Sequence, residues 1–147
     1  RCAMTAVLRR QLECPDNFDS EGWLRVGFVG GQYAYAAVRR TERGVSLVFV
    51  TSEGKEHTES ATETVPIQDA PVTFRVTLLP TSSSTAVASF EYAQDGEFHP
   101  IGQPFEPARH TWVGARLALF CMPMNGGDDR DGWAEFGAVR VEAIETL

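Results

Sequence analysis

The 147-residue sequence has few cationic side chains and no long apolar run, and each scarcity excludes a class of protein. Lys and Arg number 13 against 20 Asp and Glu, which gives a formal net charge of −7. Nucleic acid and anionic membranes both require clustered cations, so neither is expected as a partner. No stretch approaches the roughly 18 consecutive apolar residues of a membrane-spanning helix, and no apolar run follows a basic start as in a signal peptide. We therefore expect a soluble chain.

Cysteine is also scarce, and its count bears on the compartment. The three cysteines, Cys2, Cys14 and Cys121, cannot all pair within one chain. Free thiols in a reducing compartment fit this count better than a disulfide-stapled secreted domain does. One disulfide with one free thiol is the alternative, and secretion goes with it. No Asn-X-Ser/Thr sequon is present, so the sequence favours a cytoplasmic location.

The length of the chain predicts one domain, large enough to bury a hydrophobic core. Residues 1–147 are therefore expected to form a single β-sandwich domain. The first residue is Arg1 rather than Met, from which we expect a processed product or a piece of a longer protein. A further domain of that protein would then hold the chemistry.

Alternating apolar and polar residues predict strands along nearly the whole chain. The pairs Gly30-Gly31 and Asp95-Gly96 separate alternating runs, as in tight hairpins that impose a positive φ. There is no convincing amphipathic helix, and roughly ten strand candidates at this spacing predict an all-β fold, an antiparallel β-sandwich. The main candidates are residues 3–13, 23–28, 33–38, 45–50, 72–78, 86–92, 112–122 and 133–144, with an exposed ribbon or loop at 52–64 and a loop at 103–112.

Catalytic motifs are not apparent. Most acids lie in turns, where Asp is favoured by turn chemistry and solvation. No histidine spacing suits a metal on a helix, Cys121 lies in an apolar strand, and no glycine pair is followed by the Lys-Ser/Thr of a phosphate-binding loop. We therefore expect structural roles for the acids and no catalytic residue in this chain.

The acidic loop before the last strand offers hard oxygen ligands to a calcium ion. The candidate ligands are Asp128, Asp129, Asp131 and Glu135. Arg130 lowers the local negative charge, and the spacing is not that of a calcium-binding loop, so a solvated loop tip is the alternative. Beyond this structural calcium, the sequence implies no cofactor.

Aromatic residues are the best candidates for sugar recognition, because a flat ring stacks on the apolar face of a pyranose while nearby polar groups bind its hydroxyls. Trp23 shares a strand face with Arg25, opposite the apparent core face of the same strand. Together with Tyr33 and Tyr35 these residues would form a shallow platform. The alternative is that Trp23 packs at a rim or between domains, since large aromatics are normally well buried.

Four motifs, in order, carry a family resemblance. Residues 89–102, SFEYAQDGEFHPIG, resemble the F-x-Y-S-x-D-G-x-x-F-x-x-I-G hairpin of concanavalin A-like jelly-roll domains. Residues 112–120, WVGARLALF, are similar to the W-x-G-A-(K/R)-x-G-L-F strand of the C-terminal domain of glycoside hydrolase family 43 enzymes. Residues 26–28 and 32–35, VGF and QYAY, resemble that family's A-G-L … Y-x-Y hairpin. Residues 132–136, GWAEF, stand at its G-x-A-D-F-D-x-F closing strand, but the following Gly137-Ala138 lacks the second acid and the aromatic.

The resemblance implies a concanavalin A-like jelly roll that serves as a non-catalytic accessory domain. The implied parent is a β-xylosidase or α-arabinofuranosidase acting on oligosaccharides from xylan and arabinoxylan. In that family the catalytic carboxylates belong to a separate five-bladed propeller. The implied partner is therefore an N-terminal catalytic propeller in the same chain, which the sandwich stabilises and whose active-site mouth it shapes.

Two alternative functions stay open at this point. One is a free-standing carbohydrate-binding module that takes an oligosaccharide ligand on the Trp23 face. The other is a jelly-roll glycosidase or lyase in its own right, using acids interpreted above as structural. A homo-oligomer is compatible with any of the three.

Overall fold

The computed structural model describes residues 2–8, 22–29, 32–41, 43–53, 58–82, 85–106, 116–123 and 135–143. These residues form ten β-strands, which confirms the all-β prediction. Within these ranges there is no helix that is long and apolar enough to cross a membrane. The strands are β1 (Cys2–Leu8), β2 (Gly22–Val29), β3 (Tyr33–Thr41), β4 (Gly44–Glu53), β5 (Thr58–Pro66), β6 (Val72–Pro80), β7 (Ala86–Ala93), β8 (His99–Pro100), β9 (Arg116–Pro123) and β10 (Phe136–Ala143).

The strands form two five-stranded antiparallel sheets. The first sheet has the order β10-β1-β6-β7-β8, and the second sheet has the order β5-β4-β3-β2-β9. Strands distant in sequence pair in both sheets: β1 pairs with β6 and β10, and β2 pairs with β9. Such crossovers between two packed sheets are expected of a jelly roll, so the predicted antiparallel β-sandwich is confirmed.

The hydrophobic core lies between the sheets and takes residues from both. Phe49 of β4 meets Phe90 of β7 edge to face, with ring centroids 5.1 Å apart and an interplanar angle of 62°. This geometry suits the quadrupoles of two aromatic rings. The other buried members of this core are Ala34, Ala36, Val38, Leu47, Val72, Phe74, Val76, Ala88, Ile101 and Phe105.

The predicted hairpin at residues 89–102 joins β7 to β8 and is built by its turn chemistry. The Asp95 carboxylate accepts the backbone N–H of Glu97 at 3.0 Å, and Gly96 has φ +92°. Ile101 then returns to the core, where its N–H donates to the carbonyl of Phe90 at 3.0 Å. The Asp-Gly pair thus sets the register that buries the following isoleucine.

Gly102 ends this motif because no other residue fits there. Its φ is +73°, and a Cβ at this position would lie 2.1 Å from Cδ1 of Phe49. Its backbone N–H donates to the Glu63 carboxylate of β5 at 2.8 Å. A residue of the hairpin on the first sheet is therefore packed directly against the second sheet, which fixes the two sheets relative to each other.

The structure describes parts of two further predicted elements, the ribbon or loop at 52–64 and the loop at 103–112. Of the exposed ribbon or loop predicted at 52–64, residues 58–64 lie in the largely exposed edge strand β5, as predicted, whereas Ser52 is buried in β4 and residues 54–57 lie outside the described residues. In the loop at 103–112, Phe105 bridges Ala88 through two backbone hydrogen bonds of 2.7 and 2.8 Å. Residues 9–13, 30–31, 107–115 and 133–134, which complete several of the predicted elements, lie outside the described residues.

Candidate functional site

The residues expected to form a sugar platform occupy one face of the second sheet. In the register of β2 with β3, Trp23 lies opposite Arg39 and Arg25 lies opposite Ala37. Cross-strand partners share a face of a sheet, and residues two apart on a strand share it too. Tyr33 and Tyr35 therefore occupy the same face as Trp23 and Arg25, on the side away from the core between the sheets. We call this the outer face of the second sheet.

Tyr33 and Tyr35 form a stacked pair on this outer face. Their ring centroids are 6.2 Å apart and the rings are 12° from parallel. Tyr35 has 0% exposed surface and packs in a second apolar cluster with Ala37, Val48 and Val50. Tyr33 is only partly buried at the edge of that cluster. Of the two rings, Tyr33 is the one that keeps accessible surface for a ligand.

Glu59 of β5 joins the two tyrosines, and the sequence reasoning missed it. The Tyr33 hydroxyl donates to Oε1 of Glu59 at 2.9 Å, and the Tyr35 hydroxyl donates to Oε2 at 2.8 Å. Hydrogen bonds to an ionised acceptor are about twice as strong as neutral ones. One carboxylate therefore orients both phenols from a strand two positions away in the sheet.

A register shift explains why Glu59 lies on this face. Phe49 pairs with Glu63, but Val50 pairs with Ala61, so β5 has one extra residue, Thr62, at this point. A one-residue shift moves every following side chain to the opposite face. Ser52 is consequently paired with Glu59. The only signal in the sequence was the two tyrosines on one face, which require an acceptor.

Ser52 lies in the middle of this arrangement. It pairs with Tyr33 on one side and with Glu59 on the other, and it has 0% exposed surface. Its hydroxyl has no hydrogen-bond partner among the residues that the structure describes.

Other acids of the described ranges have definite structural partners. Arg75 binds Glu91 through two hydrogen bonds of 2.6 and 2.8 Å, and this contact is the first cause that raises the pKa of Arg75. The backbone N–H of Glu97, followed by His99, lowers the pKa of the Asp95 carboxyl. Asp69 pairs with Arg40. Five acids of the described residues thus hold strands or turns in place: Glu59, Glu63, Asp69, Glu91 and Asp95.

The predicted calcium ligands fall largely outside the structure's description. Asp128, Asp129 and Asp131 lie outside the described residues, and Glu135 is exposed just before β10. In the part of the chain that is described, no three His, Cys, Asp or Glu side chains are grouped closely enough to hold a metal ion. The calcium site therefore stays a prediction.

Comparison with known proteins assigns most of the chain to a family. A family model described as the β-xylosidase C-terminal concanavalin A-like domain matches residues 28–142, which confirms the resemblance seen in the motifs. A comparison with curated protein sequences gives no match.

Several solved structures share the fold. A bifunctional GH43-CE protein of Bacteroides eggerthii is 19% identical with a TM-score of 0.74, over 96% of this chain and 18% of that one. The GH43 protein BlXynB from Bacillus licheniformis is 16% identical with a TM-score of 0.69, over 97% and 27%. An engineered GH43 glycoside hydrolase with endo-xylanase and exo-arabinofuranosidase activity is 14% identical with a TM-score of 0.70, over 97% and 29%. The chain thus spans less than a third of the length of these proteins.

Proposed function

This chain belongs to the family of concanavalin A-like C-terminal domains of β-xylosidases, and from that membership we propose that it is the non-catalytic accessory domain of a glycoside hydrolase family 43 enzyme. Its partner is a catalytic propeller in the same polypeptide. The substrates of the whole enzyme are xylan- or arabinoxylan-derived oligosaccharides, and its activity is that of a β-xylosidase or an α-arabinofuranosidase.

The family match over residues 28–142 is the observation that carries this proposal. The lengths of the similar structures support it, since this fold makes up only 18–29% of those chains. The engineered neighbour with endo-xylanase and exo-arabinofuranosidase activity supports the substrate class. The remaining length of such an enzyme is where a propeller would lie.

The roles of the acids agree with a non-catalytic domain. Hydrolysis of a glycosidic bond requires two carboxyl groups that face each other across the sugar, about 5–10 Å apart. Glu59 and Glu91 are instead occupied by phenols and a guanidinium, and Glu63 holds a backbone N–H. These contacts give the three acids structural roles, which supports the proposal.

We further propose that the domain stabilises the propeller and shapes its active-site mouth. The test compares the full-length enzyme with a version that lacks this domain. We expect the truncated enzyme to melt at a lower temperature and to have a reduced kcat/KM on nitrophenyl β-xyloside or nitrophenyl α-arabinofuranoside. An unchanged melting temperature together with unchanged kinetics would contradict the role.

Carbohydrate binding on the outer face of the second sheet is the second candidate function. The observation that favours it is the partly exposed ring of Tyr33, held by Tyr35 on one side and by Glu59 at its hydroxyl. Trp23 and Arg25 occupy the same face. Titration calorimetry with xylo-oligosaccharides tests it: we expect binding that is lost in Trp23→Ala and weakened in Tyr33→Ala. No heat at millimolar sugar rejects it.

A further inference from the structure

Two exposed valines of β10 lie on the core side of the first sheet. Val139 is 46% exposed and Val141 is 62% exposed. Through its pairing with β1, Val139 lies in one row across the sheet with Phe74 of β6. The same pairings place Val141 in one row with Val76. Because Phe74 and Val76 are buried in the core, both valines occupy the inner face of the first sheet, where apolar side chains are normally covered.

The exposure of this inner face increases along β10. Phe136, at the start of the strand, is partly buried and packs against the core. The register with β1 then shifts by one residue, and Val139 and Val141 follow with increasing exposure. The strand ends at Ala143, which pairs with the first residue of β1, Cys2. The least covered part of β10 is therefore the part beside the point where the chain enters β1.

Two other edge strands of the sandwich are protected against further contacts. The edge of the second sheet, β5, has an extra residue at Thr62, a charged residue on its inner face, Glu63, and a proline, Pro66. The other edge of the first sheet, β8, has only two residues and ends at Pro100. Bulges, inward-facing charges, prolines and short length are the features that keep an edge strand from pairing with another chain.

The strand β10 differs from these edges in each of those features. It is eight residues long and pairs with β1 alone in the part of the chain that the structure describes. Between Val139 and Ala143 its register with β1 is regular and it contains no proline. Its charged residues there, Arg140 and Glu142, alternate with the valines and so occupy the outer face. An apolar inner face beside an unprotected edge is typical of a strand that another chain covers.

We propose that the inner face and the free edge of β10 dock the catalytic domain of the same polypeptide. This inference rests on the proposed function, because a C-terminal domain has its catalytic domain before it in sequence. The connection to that domain would enter at Cys2, which pairs with Ala143 and lies two residues from the partner of Val141. A tethered domain has a high effective concentration near its point of attachment. It is therefore the occupant that this edge favours over a second copy of the chain.

Hydrogen exchange measured by mass spectrometry locates the contact without any substitution. The peptide that contains β10, residues 136–143, is compared in the full-length enzyme and in the 147-residue chain. We expect its exchange to be slower in the full-length enzyme by about tenfold or more, since burial of one valine already exceeds a tenfold change in an equilibrium constant. The peptide of the protected edge β5, residues 58–66, is the control and should exchange alike in both.

Variants then test the valines themselves. Val141→Glu introduces a charge into the proposed contact. In the full-length enzyme it should lower the melting temperature toward that of the enzyme without this domain, and β10 should exchange as in the 147-residue chain. In that chain it should shift the melting temperature by no more than about 2 °C, because the residue is mostly exposed there. Leu79→Glu is the matched control, since Leu79 is 40% exposed on β6 of the same sheet and should affect neither protein more than this.

Three results would overturn the proposal. One is exchange of β10 that is equal in the two proteins, or that is slowed no more than the exchange of β5. Another is a full-length Val141→Glu enzyme that melts like the Leu79→Glu enzyme. The third is a 147-residue chain that sediments as a dimer and becomes monomeric in Val141→Glu, because a second copy would then cover the edge. The accessory role is tested separately by removal of the domain. If removal lowers the melting temperature and Val141→Glu does not, only the assignment of the docking surface fails.

Discussion

The outer faces of the two sheets are built on opposite principles. On the first sheet, β6 alternates between buried and partly exposed residues, and the outer row holds the Arg75–Glu91 pair with 34% and 26% of the side chains exposed. On the second sheet, five consecutive residues of β3, from Ala34 to Val38, are buried. The outer face of the first sheet is partly exposed to solvent, whereas β3 of the second sheet is buried on both of its faces.

This difference lies in how each outer face is packed. A β-strand with one solvated face needs only alternation, and the guanidinium of Arg75 rests 3.8 Å from the ring centroid of Phe98 as an ordinary surface contact. The second sheet buries Tyr35 against Val48 and Val50 on its outer face and orients it with a carboxylate. The outer face of the second sheet therefore carries the larger buried apolar cluster of the two outer faces in the described residues.

The largest loss in the free energy of unfolding is expected from a substitution in the core between the sheets. Gly102→Ala places a methyl group about 2.1 Å from the Phe49 ring at a φ of +73°. Overpacking and positive φ each cost about 1–3 kcal/mol, so together we expect a loss of about 2–6 kcal/mol in the free energy of unfolding. Urea denaturation measures it. A smaller loss than in the outer-face variants of the next paragraphs would contradict this, because it would show that the Phe49 ring moves aside at little cost.

Alanine substitutions compare the two outer faces directly. Tyr35→Ala should lower the free energy of unfolding by about 3–4 kcal/mol, because it leaves a cavity beside buried apolar residues. Arg75→Ala should lower it by about 1 kcal/mol or less, since its ion pair is partly solvated. Tyr35→Phe removes only the hydroxyl and should lower the free energy of unfolding by about 1 kcal/mol. This variant separates the contribution of packing from that of hydrogen bonding. Equal losses for Tyr35→Ala and Arg75→Ala would remove the distinction.

Replacing one carboxylate on each sheet compares the two outer faces a second time. Glu59→Gln removes the charge of the carboxylate that accepts hydrogen bonds from two tyrosine hydroxyls. We expect a loss of about 1–2 kcal/mol in the free energy of unfolding. Glu91→Gln, the matched change on the first sheet, should cost about 0.5 kcal/mol. Near-ultraviolet circular dichroism of Glu59→Gln should also change, because the two tyrosine rings lose their common acceptor. An unchanged spectrum would mean that stacking alone orients them.

The smallest effect is expected at the exposed β7–β8 hairpin of the first sheet. The backbone N–H of Glu97 and then His99 lower the pKa of Asp95. A carboxyl whose pKa is lowered on folding stabilises the fold above its unfolded pKa of about 3.9, and the stabilisation is lost as the pH falls through the folded value. The urea midpoints of the protein and of Asp95→Asn should therefore differ at pH 7 and converge as the pH falls below about 3.9 and through the folded pKa of Asp95. A constant difference would contradict this.

Local chemistry made the hairpin at residues 89–102 predictable. Asp95 and Gly96 determine the turn by contacts within three residues, and the alternation of β7 places Phe90 in the core. The all-β class followed in the same way from alternation along the chain. These features depend on neighbours in sequence, which a single sequence displays.

The Tyr33–Tyr35–Glu59 arrangement was not predictable, because it depends on a register. Glu59 is 24 residues from Tyr35, and without the extra residue in β5 its side chain would lie on the opposite face. The shared face of Trp23, Arg25, Tyr33 and Tyr35 did follow from alternation, but the complete burial of Tyr35 did not.

The central claim is that this domain serves an enzyme without performing the chemistry itself. The most direct measurement is the release of nitrophenol from nitrophenyl β-xyloside and nitrophenyl α-arabinofuranoside by the purified 147-residue chain, beside the full-length enzyme. We predict turnover by the full-length enzyme and none by the 147-residue chain above a heat-inactivated control. Robust turnover by the chain alone, abolished by replacing one of its own acids, would contradict it.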